Sequence, residues 1–398
     1  MKKEHPKTIA LLTPKIDTFS NPTLVVLIQK LIARGYKILF YGFDQLFVPA
    51  EYRKYFEFCE LPFNFYSLEK NPKSYIKLLK QYVKLFRDLK IRNKVRSIIC
   101  VDPMGLVIGG RIKKFIRFKL VYASFEIFFE DEFFVQRKRI LKKLEMDFSK
   151  NAEIVIIQDR RREKLLKSVN NFSDKTIFCR VPVSPMKIDL PDDDYDIYND
   201  LNIPRDKTLV VYSGSLQNWS GINEMISLFP DHWENDFWLI IHTHQKLNDD
   251  SELKSEINLL NINQQNITIH EKPFYRFEEY FKFLSKCHIG IATYFPNNLD
   301  IFAGKNLEAI GLSSGKFSTY MMLGIPTVTT NHFTYRLLNN KYKYGEIINS
   351  IKEIPGALVK IKNTLKEKSE SCKKLYDEVL DPDKLLDEVI NKIESDKQ

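Results

Sequence analysis

The stretch GLSSGKFSTYMMLGIPTVTT (Gly311–Thr330) holds residue types whose spacing suggests phosphate chemistry. A hydroxyl-rich loop runs through one lysine into a short helical pattern, then Gly-x-Pro and a β-branched strand. Ser313 or Ser314 can cap that helix by accepting a first-turn N–H, and Gly315 allows close backbone approach. Unsatisfied N–H groups and the helix dipole make such an end an anion site, to which Lys316 adds a full charge. It is not a Walker A loop, which needs GxxxxGK[ST]. Ile310 stands where the first glycine belongs, and Phe317 follows the lysine. The competing reading is a capped helix with a solvated surface lysine.

Other candidates sit where strands should end. His242 and His244 close the run FWLIIHTH, and alternation puts both on one face, so one can serve a site and the other support it. A zinc pair lacks a matched third ligand, and no metal is expected. Asp102 and Glu126 close VRSIICVDP and FKLVYASFE; each is a site carboxylate or a cap for a helix or loop. Lys305 and Arg276 are loop cations that a site could use. The acidic run Asp192–Asp194 could bind a metal, but reads as a solvated tract.

The elements that must position these residues form an αβ pattern that starts twice. Thr8–Thr13 reads as a strand, followed by a helix with Leu24, Leu27, Ile28 and Leu31 on its buried face, the Gly35 turn and a second strand. The nearly unbroken apolar runs at 95–103, 118–126 and 152–159 suit strands covered on both faces of a parallel sheet. A second series follows in TLVVYSGSL, FWLIIHTH, ITIHEKPF, HIGIATYF and PTVTT. The fold class expected is α/β, with two Rossmann-like doubly wound domains facing a central cleft. The first covers residues 1–181, a Pro- and Asp-rich linker 182–207 and the second domain 208–375. The C-terminal helix, 376–398, could pack back on the first domain.

With 398 residues, 44% hydrophobic and 28% charged, the composition is that of a folded globular protein with room for two domains. The first apolar run is too short for a signal peptide, and no run approaches a membrane span. Five scattered cysteines without a C-x-x-C pair speak against disulfide or zinc frameworks and fit a reducing cytoplasm. The net charge of +10 is uneven: Lys73–Arg96 contains one acid, Asp88, and Arg111–Lys119 contains none. One face of the first run is apolar (Tyr75, Leu78, Leu79, Tyr82, Phe86, Leu89) and the other basic. Together with Phe115 and Phe118 these runs predict peripheral attachment to an anionic membrane surface through the first domain. No nucleic-acid motif is present, and no nucleic-acid partner is expected.

YSGSLQNWSGINEMI followed by SSGKFSTYMMLGIPTV resembles the C-terminal domain of GT-B glycosyltransferases, close to family 4. In that family a Gly-rich turn and a K-x-x-E-Y-M-A-x-G-x-P-V helix hold the nucleotide-sugar diphosphate. HEKPFYRFEEYFKFLSKCHIGIATY resembles the segment whose loop packs against the donor base, LVYASFEI resembles L-V-Y-D-x-H-E-L of the acceptor domain, and RVPVSP resembles the V-P-N-S-P that opens the interdomain linker. The similarity runs in order along almost the whole chain. Several positions depart from it. The usual Arg and Lys of the first turn are Ser215 and Ser220. The second glutamate of the Glu-x7-Glu pair, which usually holds the ribose, is Thr319; Gly311 stands at the first, with Glu308 nearby out of register. The acceptor-domain histidine aligns with Phe125, followed by a retained Glu126.

The resemblance implies a glycosyltransferase moving a sugar from a nucleotide-sugar donor to a cell-envelope glycan or lipid-linked acceptor. Retention, independence of metal and the absence of a cofactor beyond the nucleotide-sugar co-substrate are implied by it too. Catalytic roles fall to Glu126, Lys316 and Asp102. Donor binding falls to Gly214, Ser215, His242, His244, Phe274, Ser313, Ser314, Gly315, Lys316 and Thr319. The departures keep open a second class, a catalytically silent transferase-like subunit that binds an envelope polysaccharide or a partner transferase. A sugar-nucleotide epimerase of the same fold would need acid/base groups not seen here.

Overall fold

The computed structural model describes residues 7–13, 20–42, 50–60, 83–92, 95–133, 136–190, 194–227, 233–244, 254–255, 266–274, 276–297 and 302–395. The chain forms two compact units. One comprises Met1–Met186, Asn298–Asn306 and Pro382–Gln398; the other comprises Lys187–Asn297 and Leu307–Asp381.

The first unit is built on seven parallel strands: β1 (Lys7–Thr13), β2 (Tyr36–Gly42), β3 (Phe56–Glu60), β4 (Ser97–Val101), β5 (Lys119–Ala123), β6 (Ile154–Ile157) and β7 (Ile177–Arg180). They lie in the order β3-β2-β1-β4-β5-β6-β7. Alternation with burial on both faces explains the unbroken apolar runs. Ile98, Cys100, Leu120 and Tyr122 enter one core, while Ile99, Val101, Val121 and Ala123 enter the core on the opposite face.

Helices connect the strands of this unit. In α1 (Pro22–Ala33) the Asn21 side chain accepts from Leu24 N at 3.1 Å and Pro22 opens the first turn. Helices α2 (Asp102–Lys113), α3 (Gln136–Ser149) and α4 (Arg160–Ser168) follow β4, β5 and β6. The second unit has six parallel strands: β8 (Thr208–Ser213), β9 (Phe237–His242), β10 (Ile267–His270), β11 (Ile289–Ala292), β12 (Thr327–Thr330) and β13 (Gly345–Ile348), in the order β10-β9-β8-β11-β12-β13. Counted from its own first strand, each sheet contains the doubly wound order 3-2-1-4-5-6. The strand order therefore reverses between β1 and β4, and between β8 and β11. Ligands of open α/β sheets bind at the carboxyl ends of such strands.

Helices α5 (Phe277–Ser285) and α6 (Gly315–Leu323) flank the second reversal. The last helix, α7 (Asp383–Glu394), belongs to the first unit. Its Leu386, Val389, Ile390 and Ile393 are buried in one core with Leu24, Leu27 and Ile28 of α1. Lys30 pairs with Asp383 (2.6 Å) and Asp387 (2.8 Å), but these acids are half-exposed, so the apolar stripe supplies most of the stabilisation.

Strands β3, β7 and β13 are not among the expected ones. All three lie at sheet edges, where exposed or half-buried residues interrupt the doubly buried signature. Much of the basic run, residues 73–82 and 93–94, lies outside the described residues, as do Asp192 and Asp193. Phe118 is buried at the start of β5, whereas Phe115 is 72% exposed.

Candidate functional site

Tyr320 sets the position of α6. Its hydroxyl donates to Val211 O (3.2 Å) and accepts from Ser213 N (3.1 Å), fastening the helix to the end of β8. The ring lies over Gly290 of β11, where an added Cβ would come within 2.5 Å of it. Only glycine permits that approach. Lys316 precedes Tyr320 by one turn on the same helix face. Its side chain consequently runs past the end of β8 to the turn at Gly214, where an added Cβ would lie 3.5 Å from Nζ. Gly214 itself has φ 152°, in the region that favours glycine.

The surroundings of this amine are unusual. Nζ lies 3.7 Å from the ring centroid of Tyr212 and 5.3 Å from that of Tyr294, on which Trp219 stacks at 5.6 Å. Part of the lysine stem reaches solvent, but Nζ is enclosed and has no hydrogen-bond partner. Burial pushes its pKa down from 10.5 to about 7. A buried polar group left unpaired is costly and calls for an explanation. At a helix N-terminus, beside a glycine turn at a strand-order reversal, an anionic ligand supplying the missing acceptors is that explanation.

Ser314 is the helix cap: its Oγ accepts from Phe317 N at 3.1 Å and also bonds the Tyr294 hydroxyl. Ser313 precedes it, partly exposed, and Gly315 opens the helix, while Thr319 is buried within α6. Ser215 is exposed, and its carbonyl accepts from the Tyr212 hydroxyl at 2.7 Å. Gly214, Gly315 and Lys316 therefore meet at one place.

The two histidines divide differently from the expected donor contacts. His242 is fully buried, with Lys272 O at 3.3 Å from Nε2 and Ser213 Oγ at 2.7 Å from Nδ1. A carbonyl can only accept, so Nε2 carries the proton and Nδ1 accepts from Ser213, whose oxygen is also 2.8 Å from the Tyr280 hydroxyl. Burial, reinforced by His244 and His270, pulls its pKa down to about 3, and the ring is neutral. Both nitrogens are thus engaged by protein: His242 supports the end of β8 and offers a ligand no free nitrogen. His244 is the exposed member. Phe274 packs 5.1 Å from the His242 ring and 5.5 Å from His270. His270 stacks on Phe283 at 4.7 Å and leaves Nδ1 without a partner. Its only sequence signal is its place at the carboxyl end of β10.

In the first unit, Asp102 begins α2 with φ 57°, a left-handed backbone that Asp tolerates better than most residues. Its Oδ1 accepts from Phe125 N (2.8 Å) and Glu126 N (2.9 Å). The carboxylate expected to be catalytic therefore holds the loop after β5 in place, the alternative role that its position at a strand end allows.

Glu126 Oε2 accepts from Asn306 Nδ2 at 2.5 Å, and Asn306 Oδ1 accepts from Ile127 N and from the Arg162 guanidinium, each at 3.1 Å. Arg162 also donates to Gln158 Oε1 (2.7 Å) and Phe125 O (2.8 Å), and is itself fully buried. Sequence reasoning misses Arg162 because in DRRREK it looks like a solvated face; Asn306 has no local signal. The loop cations are matched locally: Arg276 with Glu278 (3.2 Å), and Lys305 with Asp131. Among the described residues no group of three His, Cys, Asp or Glu side chains could hold a metal ion.

No protein-family profile matches the sequence, and neither does any curated protein. Solved structures do. HepE from Anabaena, in complex with UDP and glucose, aligns with a TM-score of 0.72 at 13% identity, covering 98% of this chain and 99% of that one. This chain has the GT-B fold. Sucrose-phosphate synthase from Thermosynechococcus elongatus aligns at 0.70 with 12% identity, covering 97% of this chain and 98% of that one. WaaG, described as a glycosyltransferase involved in lipopolysaccharide biosynthesis, aligns at 0.66 with 13% identity, covering 98% of this chain and 100% of that one. At such identities the likeness is one of fold. Within this GT-B chain the second unit brings Lys316 to Gly214, and the first fixes Glu126 at the end of β5.

Proposed function

We propose that this protein is a glycosyltransferase that takes a nucleoside-diphosphate sugar as donor and transfers the sugar to a cell-envelope glycan or lipid-linked acceptor. The observation that carries the reading is the enclosed, unpartnered Lys316 amine at the N-terminus of α6. Departure of the sugar leaves negative charge on the diphosphate. A lysine and a helix N-terminus aimed at that charge stabilise it where it develops, without a metal ion. Glu126, held by Asn306 and the backbone fixed by Asp102, is the carboxylate assigned to the acceptor side. Retention of anomeric configuration belongs to the same reading.

Support for the donor class comes from the neighbouring folds whose structures hold UDP, glucose or UDP-glucose. Cytoplasmic residence with docking to an anionic leaflet fits the first unit's surface. Phe115 projects beside Lys114 and Arg117, its ring 6.4 Å from Phe86, and Val83 is 62% exposed. Among the described residues no helix is long and apolar enough to cross a membrane. Co-sedimentation should show binding to anionic vesicles at low salt, lost at high salt. Equal, negligible binding to neutral and anionic vesicles would leave a soluble acceptor.

A thermal-shift panel of nucleotide sugars, followed by an assay for released nucleoside diphosphate, tests the main reading. Stabilisation by one donor with turnover supports it. Stabilisation without turnover, with any envelope acceptor supplied, points to the second reading, a silent subunit; hydroxyls at Ser215, Ser220 and Thr319, in place of charged family residues, favour that outcome.

A further inference from the structure

The donor-site reading leaves one physical problem at Lys316. Its Nζ is shielded from solvent, so a phosphate oxygen cannot reach it until the side chain moves. Among the described residues the groups facing the amine are aromatic and uncharged. Tyr212 comes from β8, Tyr294 from the segment after β11, and the turn contributes only the backbone of Gly214. Tyr320 and Ser314 of α6 and Tyr280 of α5 complete the neighbourhood through bonds to Val211, Tyr294 and Ser213. Burial pushes the hydroxyl pKa of Tyr294 up to about 12, that of Tyr280 likewise to about 12, and those of Tyr212 and Tyr320 higher still. None of them ionises near neutral pH. Among the described residues no carboxylate offsets the burial of the amine, whose pKa falls to about 7.

We propose that Lys316 is a proton-coupled latch: its neutral amine is stored between Tyr212 and Tyr294, and a nucleoside diphosphate draws it out of that cage together with one proton from solution. The balance is simple. R–NH2 and H+ become R–NH3+, which then pairs with the diphosphate; no other bond changes. Packing against the rings of Tyr212 and Tyr294 gives the side chain a defined resting place, and a phosphate supplies the acceptors that the cage lacks. The inference rests on the donor-site reading above and adds its regulation by pH.

UDP is the probe, with titration calorimetry of the full chain at pH 8.5 in two buffers of different ionisation enthalpy. Close to one proton should be taken up per UDP, and affinity should weaken about tenfold per pH unit above the amine's midpoint. Lys316→Met should bind more weakly, with no uptake and a flat pH profile. UDP binding without uptake, and with affinity unchanged from pH 7 to 9.5, overturns the latch but leaves the donor site standing. Failure of UDP and other nucleoside diphosphates to bind at any pH overturns both. A ligand-free arm is independent of binding: NMR of 13C-labelled lysine, with the Lys316 signal identified by its loss in Lys316→Met. A midpoint well below that of the other lysines supports the latch, and a midpoint among theirs overturns it.

Discussion

Replacing Lys316 with Met should raise stability while weakening donor binding, a pairing of signs that a structural lysine would not give. Met keeps the length of the stem and removes the amine that has no partner. In the unfolded chain the lysine keeps its proton up to about 10.5; in the folded protein it does so only to about 7. The difference corresponds to roughly 5 kcal/mol at 1.36 kcal/mol per tenfold change. Lys316→Met should therefore gain several kcal/mol at pH 7, up to about 5. Between those two pKa values the unfolded chain binds more protons than the folded one, so wild-type stability rises with pH. The advantage of Lys316→Met should accordingly shrink from pH 7 towards pH 10. Urea unfolding at pH 7, 8.5 and 10 measures this. UDP titration of the same samples should show a loss of about 1.5–3 kcal/mol, as for a charge-assisted hydrogen bond. A variant that is less stable than wild type at pH 7, with a pH-independent difference, would refute the description of the amine as buried, unpaired and depressed in pKa.

Further substitutions probe the seat of α6, the ribose contact and a buried ion pair. Gly290→Ala puts a methyl group within 2.5 Å of the Tyr320 ring; it should cost about 1–3 kcal/mol and weaken UDP binding by displacing α6, both read from unfolding and titration. Thr319→Val removes a hydroxyl at constant shape and should weaken UDP binding by about 0.5–1.5 kcal/mol if that hydroxyl meets the ribose; an unchanged affinity removes Thr319 from the site. In the first unit Lys142 and Glu145 are a buried pair at 2.9 Å, joined by Asn170 and Tyr122. Lys142→Met should cost about 3–5 kcal/mol by stranding the carboxylate, and adding Glu145→Gln should recover part of the loss in chemical unfolding.

The fold was legible where burial writes itself into the chain. Interior strands β4 and β5 alternate between two cores, and in β8 and β9 every residue but Trp238 is buried. Edge strands β3, β7 and β13 carry no such mark. At the site, the helix cap, the glycines and Lys316 could be read because local geometry demands those residue types. The cage could not: Tyr212 and Tyr294 are far apart in sequence and are brought together by the pairing of β8 with β11. Burial of Arg162 likewise depends on Asn306, 144 residues away. Their places at strand ends make His242 and Asp102 look ligand-facing. The structure gives them to Ser213 and Lys272, and to the amides of Phe125 and Glu126, because a strand end also needs polar groups to close the turns that follow it.

Whether a nucleoside diphosphate sits at the start of α6 is decided by a crystal structure of the protein with UDP. Diphosphate oxygens should lie within hydrogen-bond distance of Lys316 Nζ and of the first N–H groups of α6, beside Gly214. UDP bound with its phosphates away from that turn, and Lys316 still between Tyr212 and Tyr294, would contradict this placement.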